Sequence, residues 1–593
     1  MPDYQAIVIG GGHAGIEAVN ILNLLKVKTL LITPNSDKIG YPSCNPSIGG
    51  IAKSHLVYEL DAMGGLMPVV TDRTGLHFKL LNSSKGPAVW SLRVQIDTDR
   101  YTAVMRDTIR AMDYITILED TAEEIRTDSD NVRGILTQSG ESIDAENIIL
   151  CTGTFLNGII HIGNKTISGG RYNDHSSERL SESLVSMGYR TMRLKTGTSP
   201  RILGNSINFS KLTKQPGENN TGTFSITTER IDNSEFCYIT RTNKETHSVI
   251  EKNLKLSALY SEQISGTGPK YCPSIEDKIV KFNHRDSHTV FIEPMGLSSD
   301  IYYLNGASTS LPVEKQYQFI HTIEGLENAE FKTPGYAIEY DFIPPGHLRP
   351  TLESSVINGL YFAGQINGSS GYEEAAAQGY AAGLNAGMSA LRREPVIFSR
   401  YNSYTGVMID DLLKKEITEP YRLFTSRSEN RLVLRQDNAF IRMKSIIDSI
   451  DIDSPALRQY RCLEKESAEL KRVVLDKEGL PHGAFEKFRD PAVEFSVFRN
   501  MLSDFSYHAC LYVYSQMKYR GYIKRFETLS GKIEKMKDRK VRNLDFILNS
   551  NLISKESKSI IEKHSIERIS DLIGLINPAD IENIIIYILG KKD

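Results

Sequence analysis

The residues best suited to chemistry begin ten positions into the chain. Gly10, Gly11, Gly12 and Gly15 form a G-x-G-x-x-G turn between a short apolar run and an alanine-bearing stretch. Such a turn leaves backbone N–H groups free at a helix start, where a dinucleotide's diphosphate binds. An acidic residue that would hold a ribose usually follows about 20 residues on; Thr33 stands there instead, which suits FAD better than a standard NAD site. Two later strand-to-glycine junctions, at Gly153 and at Gly364-Gln365, are candidates for the same cofactor. Lys53, Lys85 and Lys195 lie in glycine-bearing stretches rather than on amphipathic helices. That placement makes them candidates for holding negative charge. Six cysteines are scattered without a CxxC pair, so neither a zinc site nor a disulfide framework is expected. Cys44 precedes Asn45-Pro46 and Gly49-Gly50, where turn amides could lower a thiol pKa. Residues 518–542 hold ten Lys or Arg against three Asp or Glu, with Tyr519, Tyr522 and Phe526 interleaved. On the residues alone this is a solvated helix face; in a nucleic-acid-binding protein Lys518, Arg520, Lys524 and Arg525 would be the candidates for RNA phosphates, with the aromatics available to unpaired bases.

These groups need a scaffold. Ala6-Ile7-Val8-Ile9, helical spacing through Ala14, Ala18, Ile21, Leu22 and Leu25, then Thr29 to Ile32 predict a βαβ unit. Further buried strands are expected at residues 147–150 and 359–363, with a helix over 373–390. The expected fold is an α/β Rossmann-like FAD-binding domain, discontinuous over 1–201 and 271–400. A mixed α/β insertion domain is expected at 202–270 and an all-α C-terminal domain at 401–593. With 40% hydrophobic and 24% charged residues, the 593-residue chain has the balance of a soluble globular protein. A net charge of -3 excludes a polycation, and no apolar run reaches the roughly 18 residues of a membrane helix. Free thiols and the absence of a basic leader point to a cytoplasm.

Longer words carry a resemblance. Residues 43–53 (Ser43-Cys44-Asn45-Pro46-Ser47-Ile48-Gly49-Gly50 onward), Ser84-Lys85-Gly86-Pro87, Arg193-Leu194-Lys195-Thr196-Gly197-Thr198, 268–278 around Tyr271-Cys272-Pro273, 334–341 and 371–379 recur in order. In these words the chain resembles the tRNA uridine 5-carboxymethylaminomethyl modification enzymes, the MnmG or GidA family. The resemblance spans nearly the whole chain and is weakest between about 440 and 510. Ile16, Ser54 and Ser199 depart from the usual pattern without touching a residue assigned to chemistry.

The resemblance implies FAD, reduction by NADH, and a one-carbon unit from methylenetetrahydrofolate passed to C5 of the wobble uridine. It also implies a homodimer joined to the GTPase MnmE in a heterotetramer, with tRNA as substrate. It makes Cys44 and Cys272 the catalytic pair, one as nucleophile and the other in proton transfer, because a thiolate adds to and leaves a pyrimidine ring easily. Glu276 and Asp277 become acid–base candidates beside Cys272. The lysines become candidates for flavin electron density or folate carboxylates. The insertion is then the expected contributor to NADH binding, and the helices from 544 the expected MnmE contact. Cys151, Cys462 and Cys510 read as small buried hydrophobes, with Cys237 open; His247 and His288 read as structural. Arg422, Arg427, Arg431 and Arg435 form a second basic cluster. The rival readings are a folate- and FAD-dependent tRNA uracil-5 methyltransferase, which lacks so long a helical extension, a small-molecule flavin reductase, and a non-catalytic flavin-dependent RNA-binding module.

Overall fold

In the computed structural model, the structure describes residues 2–476 and 493–590, apart from 563, 574 and 577. The first apolar run becomes the strand Ala6–Ile9, wholly buried, at the centre of a five-stranded sheet. Its neighbours are Ile148–Leu150 and Thr29–Thr33, with Leu360–Phe362 and Ile115–Glu119 at the two edges. Every pairing is parallel. Burial on both faces explains why these strands read as continuous hydrophobic runs. The edge strand Ile115–Glu119 has no fully buried residue, with Thr116 and Glu119 exposed, and the sequence pattern does not predict it.

The helices His13–Leu24 and Tyr372–Ala390 lie side by side over this sheet. Their facing residues are small, with Ala14 and Ala18 against Gly379 and Gly383, so the two backbones approach closely. The first helix directly follows the strand Ala6–Ile9, and the second follows Leu360–Phe362 after the short turn Gly364–Asn367. The glycine junctions gather at the ends of these strands.

The second unit is larger than 202–270. Its six-stranded sheet runs Thr213–Gln215, Cys237–Arg241, Thr289–Pro294, Ile301–Asn305, Arg201–Leu203, Phe331–Thr333. One apolar core, from Ile202 to Ala329, fills it. The boundary expected at 270 falls inside this unit because the central strands of its sheet follow that point. Cys272, Glu276 and Asp277 therefore belong to the second unit and not to the body built on the parallel sheet.

The region beyond 400 is helical among its described residues, but most of it is not separate. Phe440, Met443, Leu457, Leu463, Leu470 and Phe498 share one core with the central sheet. Buried carboxylates fasten it: Glu59 accepts from the amides of Tyr404 and Thr405, and Arg442 Nη1 donates to it at 2.7 Å. Among the described residues, a core of its own appears only toward the chain end, from Ile533 to Ile585. No helix among the described residues is long and apolar enough to cross a membrane.

Candidate functional site

The ends of the parallel strands open into a cleft lined by Gly10, Gly11, Gly12, Gly153, Gly364 and Gln365, the positions expected from the sequence. Gly10 has φ +104°, a conformation L side chains rarely adopt, and a Cβ there would lie 2.4 Å from Cys151 O. A Cβ at Gly15 would lie 1.9 Å from Gly10 O, so only glycine lets the helix begin this close to the strand. A Cβ at Gly12 would meet nothing within 4 Å, which leaves its backbone approachable from the cleft. Thr152 Oγ1 and His13 Nε2 are buried residues of the cleft with no hydrogen-bond partner, polar atoms that an added ligand would satisfy. The cradle fits a dinucleotide's diphosphate. Thr33, in place of an acidic residue, lines the same cleft beside Asn35.

Cys44 reaches the cleft from the loop after Tyr41. Tyr372 Oη accepts from the Cys44 and Asn45 amides at 2.6 and 3.0 Å, and Arg201 Nη2 donates to Ser43 O at 2.7 Å. The turn amides are thus spent on Tyr372. Burial pushes the Cys44 thiol pKa up, and the neighbouring Cys272 adds to this against Arg201, Tyr303 and Arg422. The expectation that turn amides lower this pKa is reversed, because burial outweighs them. Tyr372, stacked on His13 at 4.5 Å, is a site residue the sequence reading quoted in a motif without giving it a role.

Cys272 comes from the second unit and is exposed. Arg422, from the segment after the helix Tyr404–Lys414, donates to Tyr271 O at 3.2 Å and feels both thiols; burial works against its charge, but Cys272, Glu374 and Cys44 raise its pKa overall. Arg422 therefore belongs to the thiol site and not to a basic surface. Its former companions are dispersed: Arg435 is buried in a pair with Asp437 at 2.8 Å, and Arg427 caps the Tyr421 ring at 4.4 Å. Acidic or aromatic partners recruit each in turn.

The three lysines separate. Lys53 is committed to Glu373 and Glu374 at 2.8 and 2.7 Å, ion pairs that hold the start of the helix Tyr372–Ala390. Lys85 is exposed on a turn away from the cleft, next to Gly86 and Ala88, which meet Tyr519 Oη. Lys195 is buried near the thiol site. Burial lowers its ammonium pKa despite attraction from Glu276, Asp277 and Cys272. Glu276 Oε1 accepts from Ser257, Thr309 and the Ser310 amide, which makes it an anchor of the loop core. Asp277 lies in the first turn of Ile275–Lys281 and pairs with Lys281 at 2.7 Å.

A carboxylate missed from sequence holds the Cys272 loop. Glu339 Oε1 accepts from Ser265 N, Ser265 Oγ and Gly266 N at 3.0, 2.7 and 2.6 Å. Burial opposes its charge, but His161, Ser265, Arg193 and Gly266 together hold its pKa down, from 4.5 to about 2. A depressed carboxylate pKa stabilises the fold above the unfolded value, and that stabilisation is lost as pH falls from about 4.5 toward about 2. Acid should therefore loosen the 265–272 loop, with faster hydrogen exchange at the Ser265 and Gly266 amides. Glu339→Gln should show that faster exchange already at neutral pH, and equal protection in the variant would refute the assignment.

Of the remaining cysteines, Cys151, Cys237 and Cys510 are buried, whereas Cys462 is exposed, contrary to expectation, on the solvent side of Pro455–Asp476. His247 and His288 face each other in the second unit, 5.3 Å between centroids. Arg520, Lys524 and Arg525 are exposed on the helix Arg520–Met536, with Tyr522 58% exposed beside them, and Lys518 is half-buried against Tyr514.

A protein from Campylobacter hominis named tRNA uridine 5-carboxymethylaminomethyl modification enzyme MnmG is 41% identical over 99% of both chains. One of the same name from Thermodesulfovibrio yellowstonii is 50% identical over 74% of this chain and 71% of its own. A crystal structure of GidA from Aquifex aeolicus superposes with a TM-score of 0.85 at 38% identity, covering 100% of this chain and 99% of that one. Residues 5–394 match the family described as Glucose inhibited division protein A. The chain belongs to that family and is a tRNA-modifying enzyme of the MnmG type.

Proposed function

We propose that this chain is the FAD-bearing cytoplasmic subunit that, with the GTPase MnmE, installs a carboxymethylaminomethyl or aminomethyl group on C5 of the wobble uridine, using NADH and methylenetetrahydrofolate. The observation that carries this reading is that Cys44 lines the dinucleotide cleft and lies within electrostatic reach of Cys272, from the second unit, and of Arg422. Bound in that cleft, FAD would supply the redox chemistry and the carrier position for the one-carbon unit. Gly10, Gly12 and Gly15 would hold its diphosphate, with Gly153, Gly364 and Gln365 lining the far wall.

Cys272, the exposed thiol, is assigned as nucleophile. Its sulfur adds to uracil C6, and the electron pair of the C5=C6 bond becomes available at C5. Once C5 has attacked the one-carbon unit and displaced its carrier, water takes the C5 proton, the C5–H electron pair restores the ring double bond, and the Cys272–C6 bond breaks to release the thiolate. Arg422 stabilises the sulfur anion before addition and after release. Cys44, kept neutral by burial, suits the proton-transfer role. Arg520, Lys524 and Arg525 are assigned to tRNA phosphates. The second unit is assigned to NADH, and the last helices, where Ile586 and Leu589 are 56% and 55% exposed, to MnmE. The functional unit is taken to be a homodimer within a heterotetramer.

The test is direct. Purified protein should be yellow and bleach with NADH under anaerobic conditions. With the partner GTPase, methylenetetrahydrofolate, glycine or ammonium, and undermodified tRNA, mass spectrometry should find the modified wobble nucleoside. Bleaching without any nucleoside product would sink the tRNA reading while leaving a flavoprotein.

A further inference from the structure

Cys272 ends a tight turn whose exposed corner is an aromatic residue. The Cys272 amide donates to Pro269 O at 3.3 Å, which places Lys270 and Tyr271 at the tip. Tyr271 is 56% exposed. Its ring meets Phe424 at 4.5 Å and 62°, an edge contact that supports the ring without covering it. An exposed aromatic on a mobile loop would need no explanation. This turn is pinned at several points: Ser265 and Gly266 by Glu339, Thr267 O by the Lys195 amide at 3.0 Å, the Lys270 amide by Glu419 at 3.2 Å, and Tyr271 O by Arg422 Nη1 at 3.2 Å. The fold therefore spends contacts from two distant segments, 265–272 and 419–424, to hold a large ring in water beside a thiol.

The surroundings narrow what that ring receives. Lys270 Nζ lies 6.0 Å from the Tyr271 centroid, and Arg422 Nε is buried with no hydrogen-bond partner, a donor left for an added acceptor. An aromatic face, an adjacent guanidinium donor and a nearby ammonium make a platform for a nucleobase with carbonyl oxygens and flanking phosphates. Tyr271 and Cys272 are consecutive, so a ring stacked on the first lies within reach of the second.

We propose that Tyr271 is the stacking platform for the target pyrimidine once it leaves the anticodon stack, with Phe424 bracing it and Arg422 Nε donating to a base carbonyl. This rests on the wobble-uridine reading above. The phenol oxygen has no part in it, so any aromatic residue at 271 should serve.

The experiment uses the full-length flavin-loaded protein and an anticodon stem-loop carrying 2-aminopurine immediately 3′ to the wobble uridine. Wild type should raise the 2-aminopurine fluorescence as the neighbouring uridine is withdrawn from the stack. Tyr271→Ala should lose that rise and increase KM for modification by roughly ten- to a hundredfold, the scale of losing one base–aromatic stack. Tyr271→Phe and Tyr271→Trp should retain both. Flavin content and melting temperature identify any variant that has merely misfolded, and the Phe and Trp variants carry the test if Ala does so. A fluorescence rise in wild type that survives Tyr271→Ala, or that is abolished equally by Phe and Trp, overturns the proposal and leaves the tRNA reading standing. A wild-type protein that neither binds nor perturbs the stem-loop overturns both.

Discussion

Cys272→Ser should remain a yellow, NADH-bleachable protein that forms modified nucleoside at least about a thousandfold more slowly than wild type, the scale expected when a covalent nucleophile is removed. Three features of the site argue for so large an effect. Cys272 is exposed, where a base can reach it, whereas Cys44 is half-buried and its thiol is held neutral. Arg422 places a guanidinium within electrostatic reach of both thiols, positive charge beside the sulfur that must attack. A serine hydroxyl in the same place is too weak an acid to become an anion there and too poor a nucleophile without a base. None of the glycine cradle touches Cys272, so cofactor content should not change. Nucleoside mass spectrometry and the visible spectrum of the same sample decide the matter. Comparable turnover in Cys272→Ser, with loss confined to Cys44→Ser, would exchange the two assigned roles.

The largest effect on stability is expected at Glu59, far from the thiols. Its carboxylate, on the helix Lys53–Ala62, receives the Tyr404 amide at 2.8 Å, the Thr405 amide at 3.0 Å, Thr405 Oγ1 at 2.9 Å and Arg442 Nη1 at 2.7 Å. All of this is out of water. Removing one partner of a buried ion pair costs about 3–5 kcal/mol, because the remaining charge loses its solvation without compensation. Glu59→Ala should therefore release the helices Tyr404–Lys414 and Ala439–Ile450 from the nucleotide-binding body. Native-state hydrogen exchange would show this as lost protection in both helices while the strand Ala6–Ile9 stays protected. Glu59→Gln, which keeps the acceptor oxygen and loses the charge, should fall between. Unchanged protection in the alanine variant would mean that apolar packing alone fastens the helical region.

The strand at Ala6–Ile9, the glycine turn after it and the helix from His13 were legible because each is encoded locally, by an apolar run, by residues that permit φ > 0, and by 3.6-residue spacing. The strands Ile148–Leu150 and Leu360–Phe362 were legible for the same reason, and the ordered motifs around Cys44 and Cys272 carried the family. The edge strand Ile115–Glu119 was missed because half of it faces solvent and its pattern is weak.

Tertiary structure alone decided which charges are free. Lys53 and Lys195 look alike in sequence, yet one is neutralised by Glu373 and Glu374 while the other is buried with only longer-range attraction. Arg422 and Arg435 read as one cluster, yet one meets a thiol and the other is buried against Asp437. The sign of the Cys44 shift, the extension of the second sheet to Thr333 and the role of Glu339 were equally out of reach. Periodicity and turn chemistry act over a few residues and can be read along the chain. Burial, ion pairing and pKa depend on what the fold brings from hundreds of residues away, so the cofactor cradle was written in the sequence while the chemistry at its mouth was settled only when the chain closed around it.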